Sequence, residues 1–150
     1  MTYQEWLATV PEHISGDSLW RMEVYRTALF LGDLAWEDTK KLATRPQTRS
    51  LSDQLLRAVG SISANIAEGY SRSSGKDQAR FYEYALGSAR ESRDWYFKAR
   101  HILGESVAEH RMDLLAQSIR QLLRTIPRSR TATIKEEQID YETGSTPSDD

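Results

Sequence analysis

Apolar residues recur along this chain at intervals of three and four, the spacing of one buried helix face. Leu51, Leu55, Val59, Ile62 and Ile66 make one such stripe. Phe81, Ala85, Ser88, Ser92, Trp95, Ala99 and Ile102 make another, and Ala108, Met112, Leu115, Ile119, Leu122 and Ile126 a third. Upstream, Trp20, Val24, Ala28, Leu31 and Ala35 form one stripe while Met22, Tyr25, Leu29 and Trp36 form a second on the same segment. The pattern predicts four helices, over 19–42, 50–68, 75–103 and from Ser106 to Ile126. A helix apolar on two faces buries more than its place in a single bundle demands, so the second stripe calls for a subunit interface or for cover by the residues before it.

Punctuation between the stripes agrees. Asp17 or Ser18 is a candidate N-cap for the first helix, and Ser50 with Asp53 opens the second. Pro46 breaks the chain between them. Gly69 suits a left-handed helix end, Ser74 followed by Asp77 a capping box, and Gly104 a further stop. Ser106 with Glu109 starts the last helix and Pro127 ends it. The expectation is an all-α chain, an up-down-up-down antiparallel four-helix bundle over 19–127. Residues 1–18 read as an arm strapped onto the bundle or a neighbouring subunit, through Trp6, Leu7 and Val10. Residues 128–150 read as an acidic tail too polar to order itself.

Composition narrows the function classes. The 150 residues contain no cysteine, which excludes disulfides and thiolate metal sites. The start lacks a basic region followed by an apolar run, and no stretch approaches the roughly 20 apolar residues of a membrane span. A cytoplasmic protein is expected, with no membrane partner. Net charge is −2; the tail holds six carboxylates against three basic residues, a net of −3, which leaves the body at +1. Attraction to nucleic acid would therefore have to be local. Ser61, Ser63 and Ser88 fall in helices with no strained elbow or nearby histidine, and His101 and His110 lack the Glu-x-x-His and HExxH spacings. No enzyme activity, cofactor or metal is expected.

Reflecting the second and third helices about Ser73 brings Gly60, Ser61 and Ala64 level with Ala85, Gly87, Ser88 and Ala89. This predicts close approach of small residues that leaves room for a partly buried Arg57–Glu91 ion pair, with Ser61 and Ser88 satisfying its spare donors and acceptors. Asn65 would bond across to the third helix and Glu68 would bond amides at its start; the alternative is a polar site at the bundle's end with Arg72. Arg45, Arg49, Arg72, Lys76 and Arg80 lie in or beside two loops, with Tyr70 and Tyr82 close enough to stack on bases. Those loops lie at opposite ends of an up-down bundle, so they make two modest patches that only a ring of copies would make multivalent.

The segment Ser61-Ile62-Ser63-Ala64-Asn65-Ile66-Ala67-Glu68-Gly69-Tyr70-Ser71-Arg72, with Gly87-Ser88 and Glu91, Met22 to Ala28 and Asp53 to Ala58, resembles the bacterial four-helix-bundle proteins called 23S rRNA intervening-sequence or S23 proteins. The resemblance covers about Leu19 to Pro127. Ser63 stands where that family usually has proline, which implies a straighter second helix. The resemblance implies a ring-like homo-oligomer, often a pentamer, and no agreed activity. The family is similar in turn to the accessory variability determinant of diversity-generating retroelements, a pentameric barrel that binds a reverse transcriptase and its template RNA. Two readings follow: a multivalent surface for structured RNA, or a protein–protein scaffold such as a reverse transcriptase accessory subunit, with Trp36, Trp95 and Tyr96 building the ring.

Overall fold

The computed structural model describes the backbone of residues 1–143 and the side chains of residues 1–132. Among the described residues every regular element is helical. Two short helices, α1 (Tyr3–Leu7) and α2 (Glu12–Ser15), and a 3-10 turn (Ser18–Arg21) precede four long ones: α3 (Glu23–Ala43), α4 (Pro46–Tyr70), α5 (Gly75–Leu103) and α6 (Glu105–Thr143). Each long helix packs on the next, and α3 also touches α5 and α6. The connectors are too short for anything but sharp reversals, so sequential neighbours run antiparallel. Leu31, Leu42, Leu55, Ile62, Ile66, Tyr96, Leu115 and Leu122 are fully buried where the stripes meet. The N-terminal arm covers a face of α3 that the stripes do not describe: Trp6 packs with Phe30 and Leu34, flanked by Tyr3, Leu7 and Val10. The Trp6 indole donates a 2.7 Å hydrogen bond to Asp33 Oδ2. Of the second stripe only Leu29 lies against this cluster; Met22 and Tyr25 join the main core and Trp36 stays exposed.

Several ends differ from the sequence expectation. Asp17 accepts from the Leu19 amide, but that cap opens the 3-10 turn; Met22 is extended and α3 starts only at Glu23. Pro46 begins α4 instead of separating two helices, because at the first helical position its missing N–H is one that has no partner anyway. Ser50 and Asp53 are consequently inside the helix. Ser74 does cap α5, accepting from the Asp77 amide, and Gly104 ends it at φ 87°. No cap forms at Ser106, since α6 already begins at Glu105. Pro127 lies within α6, which continues to Thr143. An internal proline removes one ladder bond and crowds the preceding turn, yet Ile126 is anchored in the core and Arg130 reaches Glu83 of α5. The segment expected to be a tail from Arg128 thus extends α6 as far as Thr143, and Asp149 and Asp150 lie outside the described residues. α4 runs without interruption through Ser63.

Gly69 has a different role from the one its position suggests. It sits inside α4 with a negative φ, so it is no left-handed cap. A Cβ there would lie 2.8 Å from Tyr82 Cε1 and 3.0 Å from Phe81 Cβ. Glycine therefore lets α5 seat an aromatic ring against the end of α4. Gly60 and Gly87, by contrast, are exposed and have nothing within 4 Å of a hypothetical Cβ. The close approach rests on Gly69 against Tyr82, and on Ser61 against Ser88.

At the opposite end Asp38 of α3 is 4 % exposed, the one buried carboxylate among the described residues. Arg111 of α6 grips it with two hydrogen bonds, Nε to Oδ2 at 2.8 Å and Nη2 to Oδ1 at 3.1 Å. The Tyr96 hydroxyl of α5 donates a third, 2.8 Å, to Oδ2. Burial lowers the Arg111 pKa, but the hydrogen bonds and charge of Asp38 outweigh it and leave it raised. Burial, then the Asp38 charge, hold Tyr96 far above its ordinary value of 10.

Three outcomes are expected. Gly69→Ala destabilises by about 1–3 kcal/mol despite alanine's better helix propensity, whereas Gly60→Ala and Gly87→Ala stabilise by up to about 1 kcal/mol, read by urea denaturation. Arg111→Met costs about 3–5 kcal/mol because it strands a buried charge. Combined with Asp38→Leu it loses far less than the sum; a double-mutant cycle with coupling near zero refutes the network. Tyr96 keeps its proton in the fold and loses it in the unfolded chain once pH exceeds 10. The stability it supports is therefore intact below pH 10 and falls as pH rises beyond it. Tyr96→Phe should flatten that decline, and an unchanged alkaline slope would count against it.

Candidate functional site

The turn from α4 to α5 is held locally. The Ser71 amide donates to Ala67 and Glu68 carbonyls, and the Arg72 amide to Gly69 at 3.1 Å. Gln78 Nε2 reaches back to the Arg72 carbonyl at 3.2 Å. From this framework Arg72, Lys76 and Arg80 project exposed. The Arg72 guanidinium lies over the Phe81 ring, 4.6 Å from its centroid. Arg80 is 5.7 Å from Phe81 and 5.9 Å from Tyr84. Phe81 and Tyr84, one helical turn apart, meet edge to face at 5.6 Å and 89°. Tyr84 is 49 % exposed. Among the described residues the ion pairing here is light. Glu68 Oε1 lies 3.8 Å from Arg72 Nη2, with both side chains largely in water, where such a pair contributes little.

The aromatic members differ from those read in the sequence. Tyr70 is half-buried and its hydroxyl bonds Ser18 Oγ at 2.7 Å, tying the 3-10 turn down. Tyr82 is 3 % exposed and contacts Met22 Sδ. Both tyrosines serve the fold. The rings at this surface are Phe81, a member of the third helix's apolar stripe that is half-buried here, and the exposed Tyr84. The missed signal is the run Arg80-Phe81 followed by Tyr84, which places a cation and two rings on one helix face. Arg45 and Arg49 sit at the start of α4, at the other end of the molecule, and the fold does not bring them to Arg72.

Among the polar residues of the signature, Ser61 Oγ bonds Ser88 Oγ at 2.7 Å, joining α4 to α5. The two hydroxyls satisfy each other and not the ion pair expected beside them, and the other members of that network also depart from expectation. Arg57 and Glu91 are exposed and make no ion pair with each other; Glu91 instead accepts from Trp95 Nε1 at 3.2 Å. Serines and alanines fill the contact, so the long charged side chains stay in water rather than lose hydration. Asn65 Nδ2 bonds Ser61 O within its own helix at 2.8 Å, and Glu68 turns to Arg72, not to α5 amides.

Of the candidate interface aromatics, Trp36 is 59 % exposed beside a groove of about 180 Å3 lined by Thr39, Lys40, Ala43, Ser52 and Leu56. Trp95 is half-buried against the core. Tyr96 is fully buried, so it offers no surface: its ring fills the core and its hydroxyl is engaged by Asp38. His101 is exposed, and His110 Nδ1 lies 2.7 Å from Arg111 Nη1. Burial, then the Arg111 charge, lower the His110 pKa. No group of three or more metal-ligating side chains converges among the described residues, and no helix among them is long and apolar enough to cross a membrane.

No curated protein matches the chain significantly. The structure is similar to the crystal structure of a protein with unknown function from the S23 ribosomal protein family of Bacteroides thetaiotaomicron VPI-5482. The TM-score is 0.65 at 23 % identity, over 69 % of this chain and 97 % of that one. At that identity the likeness shows the fold. Residues 21–128 match the family model described as 23S rRNA-intervening sequence protein. That span begins at the last residue of the 3-10 turn and takes in α3, α4, α5 and α6 as far as Arg128. The chain belongs to the 23S rRNA-intervening sequence protein family.

Proposed function

We propose that this protein is a cytoplasmic, non-enzymatic four-helix bundle that assembles into a ring-like homo-oligomer, five-membered in the simplest case, and presents a repeated basic surface to structured RNA. The observation that carries the reading is the grouping of Arg72, Lys76 and Arg80 on one exposed turn, where the sole ion pair among the described residues is the loose one to Glu68. Guanidinium and ammonium groups so placed neutralise phosphates and release counterions, the sequence-independent part of RNA affinity. One copy is a weak binder, because the whole chain is slightly acidic. Several copies around an axis make the second and later contacts intramolecular, raising avidity without new chemistry. The family's description refers to 23S rRNA, which favours RNA as the partner class.

A second reading draws on Trp36. An indole exposed at 59 % beside an apolar-floored groove suits a protein contact, either with another copy or with an RNA-handling enzyme such as a reverse transcriptase. Such an accessory subunit would hold its partner at high salt and lose it on Trp36→Ala.

The deciding experiment is titration of labelled structured RNA into the full-length protein at low and physiological salt, with particle mass followed by light scattering. Binding by an oligomer that weakens steeply with salt is expected. Each of Arg72→Gln, Lys76→Gln and Arg80→Gln should lower the salt slope by about one, and the triple variant should lose binding. Absence of binding at low salt overturns the RNA reading.

A further inference from the structure

Among the described residues three aromatic side chains are exposed, Trp36, Tyr84 and Phe97, and Trp95 is half-buried beside them on α5. Arg100 lies over Phe97 at 3.9 Å, and Lys98 over Trp95 at 4.6 Å. Trp36 borders a groove whose cation, Lys40, already pairs with Glu37 at 3.1 Å. Tyr84 is different. Its nearest cation, Arg80, stands 5.9 Å from the ring centroid, at the outer edge of cation–π reach, and the ring stays 49 % exposed. It is braced edge-on by Phe81, itself clamped between Arg72 and the end of α4. Arg80 and Lys76 on the same helix make no ion pair among the described residues.

We infer that Tyr84, with Arg80 beside it, is a stacking site for an unpaired nucleobase, so that the RNA this surface takes is a loop, bulge or single strand and not a continuous duplex. The inference rests on the RNA reading above and specifies its substrate class. An A-form duplex keeps its base faces inside the stack and offers a protein phosphates and 2′-hydroxyls. A basic patch alone serves that purpose and gains nothing from an exposed ring. An aromatic face flanked by guanidinium groups is the arrangement that holds a splayed-out base, the ring taking its π-face and the cations its neighbouring phosphates. Gly69 matters here because it lets α5 approach closely enough to fix Phe81, and through it the pitch of Tyr84.

The test uses the full-length protein and two RNAs of equal length, a hairpin with an open loop and a fully paired duplex, each carrying 2-aminopurine in the loop or at the matching paired position. The hairpin is expected to bind about tenfold tighter, the worth of one stacked base, and its loop fluorescence to be quenched on binding. Tyr84→Leu should remove the preference and the quenching while leaving duplex affinity unchanged, and Tyr84→Phe should keep both. Equal affinity for the two RNAs, or a Tyr84→Leu variant that still prefers the loop, overturns the stacking site while leaving phosphate-driven RNA binding intact. Loss of oligomer mass in Tyr84→Leu also overturns it, since the ring would then be a subunit contact. Failure to bind either RNA at low salt overturns both readings together.

Discussion

A carboxylate taken out of water has to be met by donors, and Asp38 is where this fold accepts that demand. Its two oxygens receive a fork from Arg111 and a hydroxyl from Tyr96. The three residues come from α3, α6 and α5. Apolar packing is non-directional and tolerates a helix sliding along its neighbour by part of a turn. Hydrogen bonds to a buried ion do not, so this contact sets the register of three helices at once. Its net contribution to stability is small beside the apolar core. Its consequence is that one arrangement of the helices is strongly preferred over its neighbours.

The other end of the molecule is governed by size instead of charge. Gly69 admits the Tyr82 ring, and Ser61 meets Ser88 across the same pair of helices. With α4 and α5 drawn together there, the connecting turn is short and tied by its own backbone. The side chains that leave it, Arg72, Lys76, Arg80 and Tyr84, therefore project from a rigid base. Surfaces of this kind bind with little ordering entropy to lose. The N-terminal arm covers Phe30 and Leu34 of α3 with Trp6, and leaves Trp36, one turn beyond Asp33, as the exposed aromatic of the helix.

Charged residues in the signature segment illustrate how helix surfaces are used. Arg57 and Glu91 are level with the serine contact, yet both turn to solvent. A chain that can fill an interface with Ser and Ala has no reason to dehydrate an ion pair beside it. Asp38 is the exception: it is buried one helical turn from the buried Leu34 and Leu42, and its hydrogen bonds come from Arg111 and Tyr96.

What the sequence determined by itself was the helical content, the order of the long helices and most of the core. Those follow from local periodicity: Leu55, Val59, Ile62 and Ile66 are all fully buried as their spacing required, and α5 spans Gly75–Leu103 as read. Family membership was equally legible, in the run Ser61 to Arg72. Breakers were less so, since Pro46 and Pro127 act according to their position in a helix, which composition does not state. Only the tertiary structure decided the roles of Gly69, Asp38, Tyr96 and Tyr84. Each depends on a residue far along the chain or on which side of a helix faces its neighbour. A tyrosine two positions earlier, Tyr82, is buried while Tyr84 is open, and a rotation of 200° along one helix is the whole difference. Periodicity assigns faces to a helix; the packing of α4 against α5 decides which face water keeps.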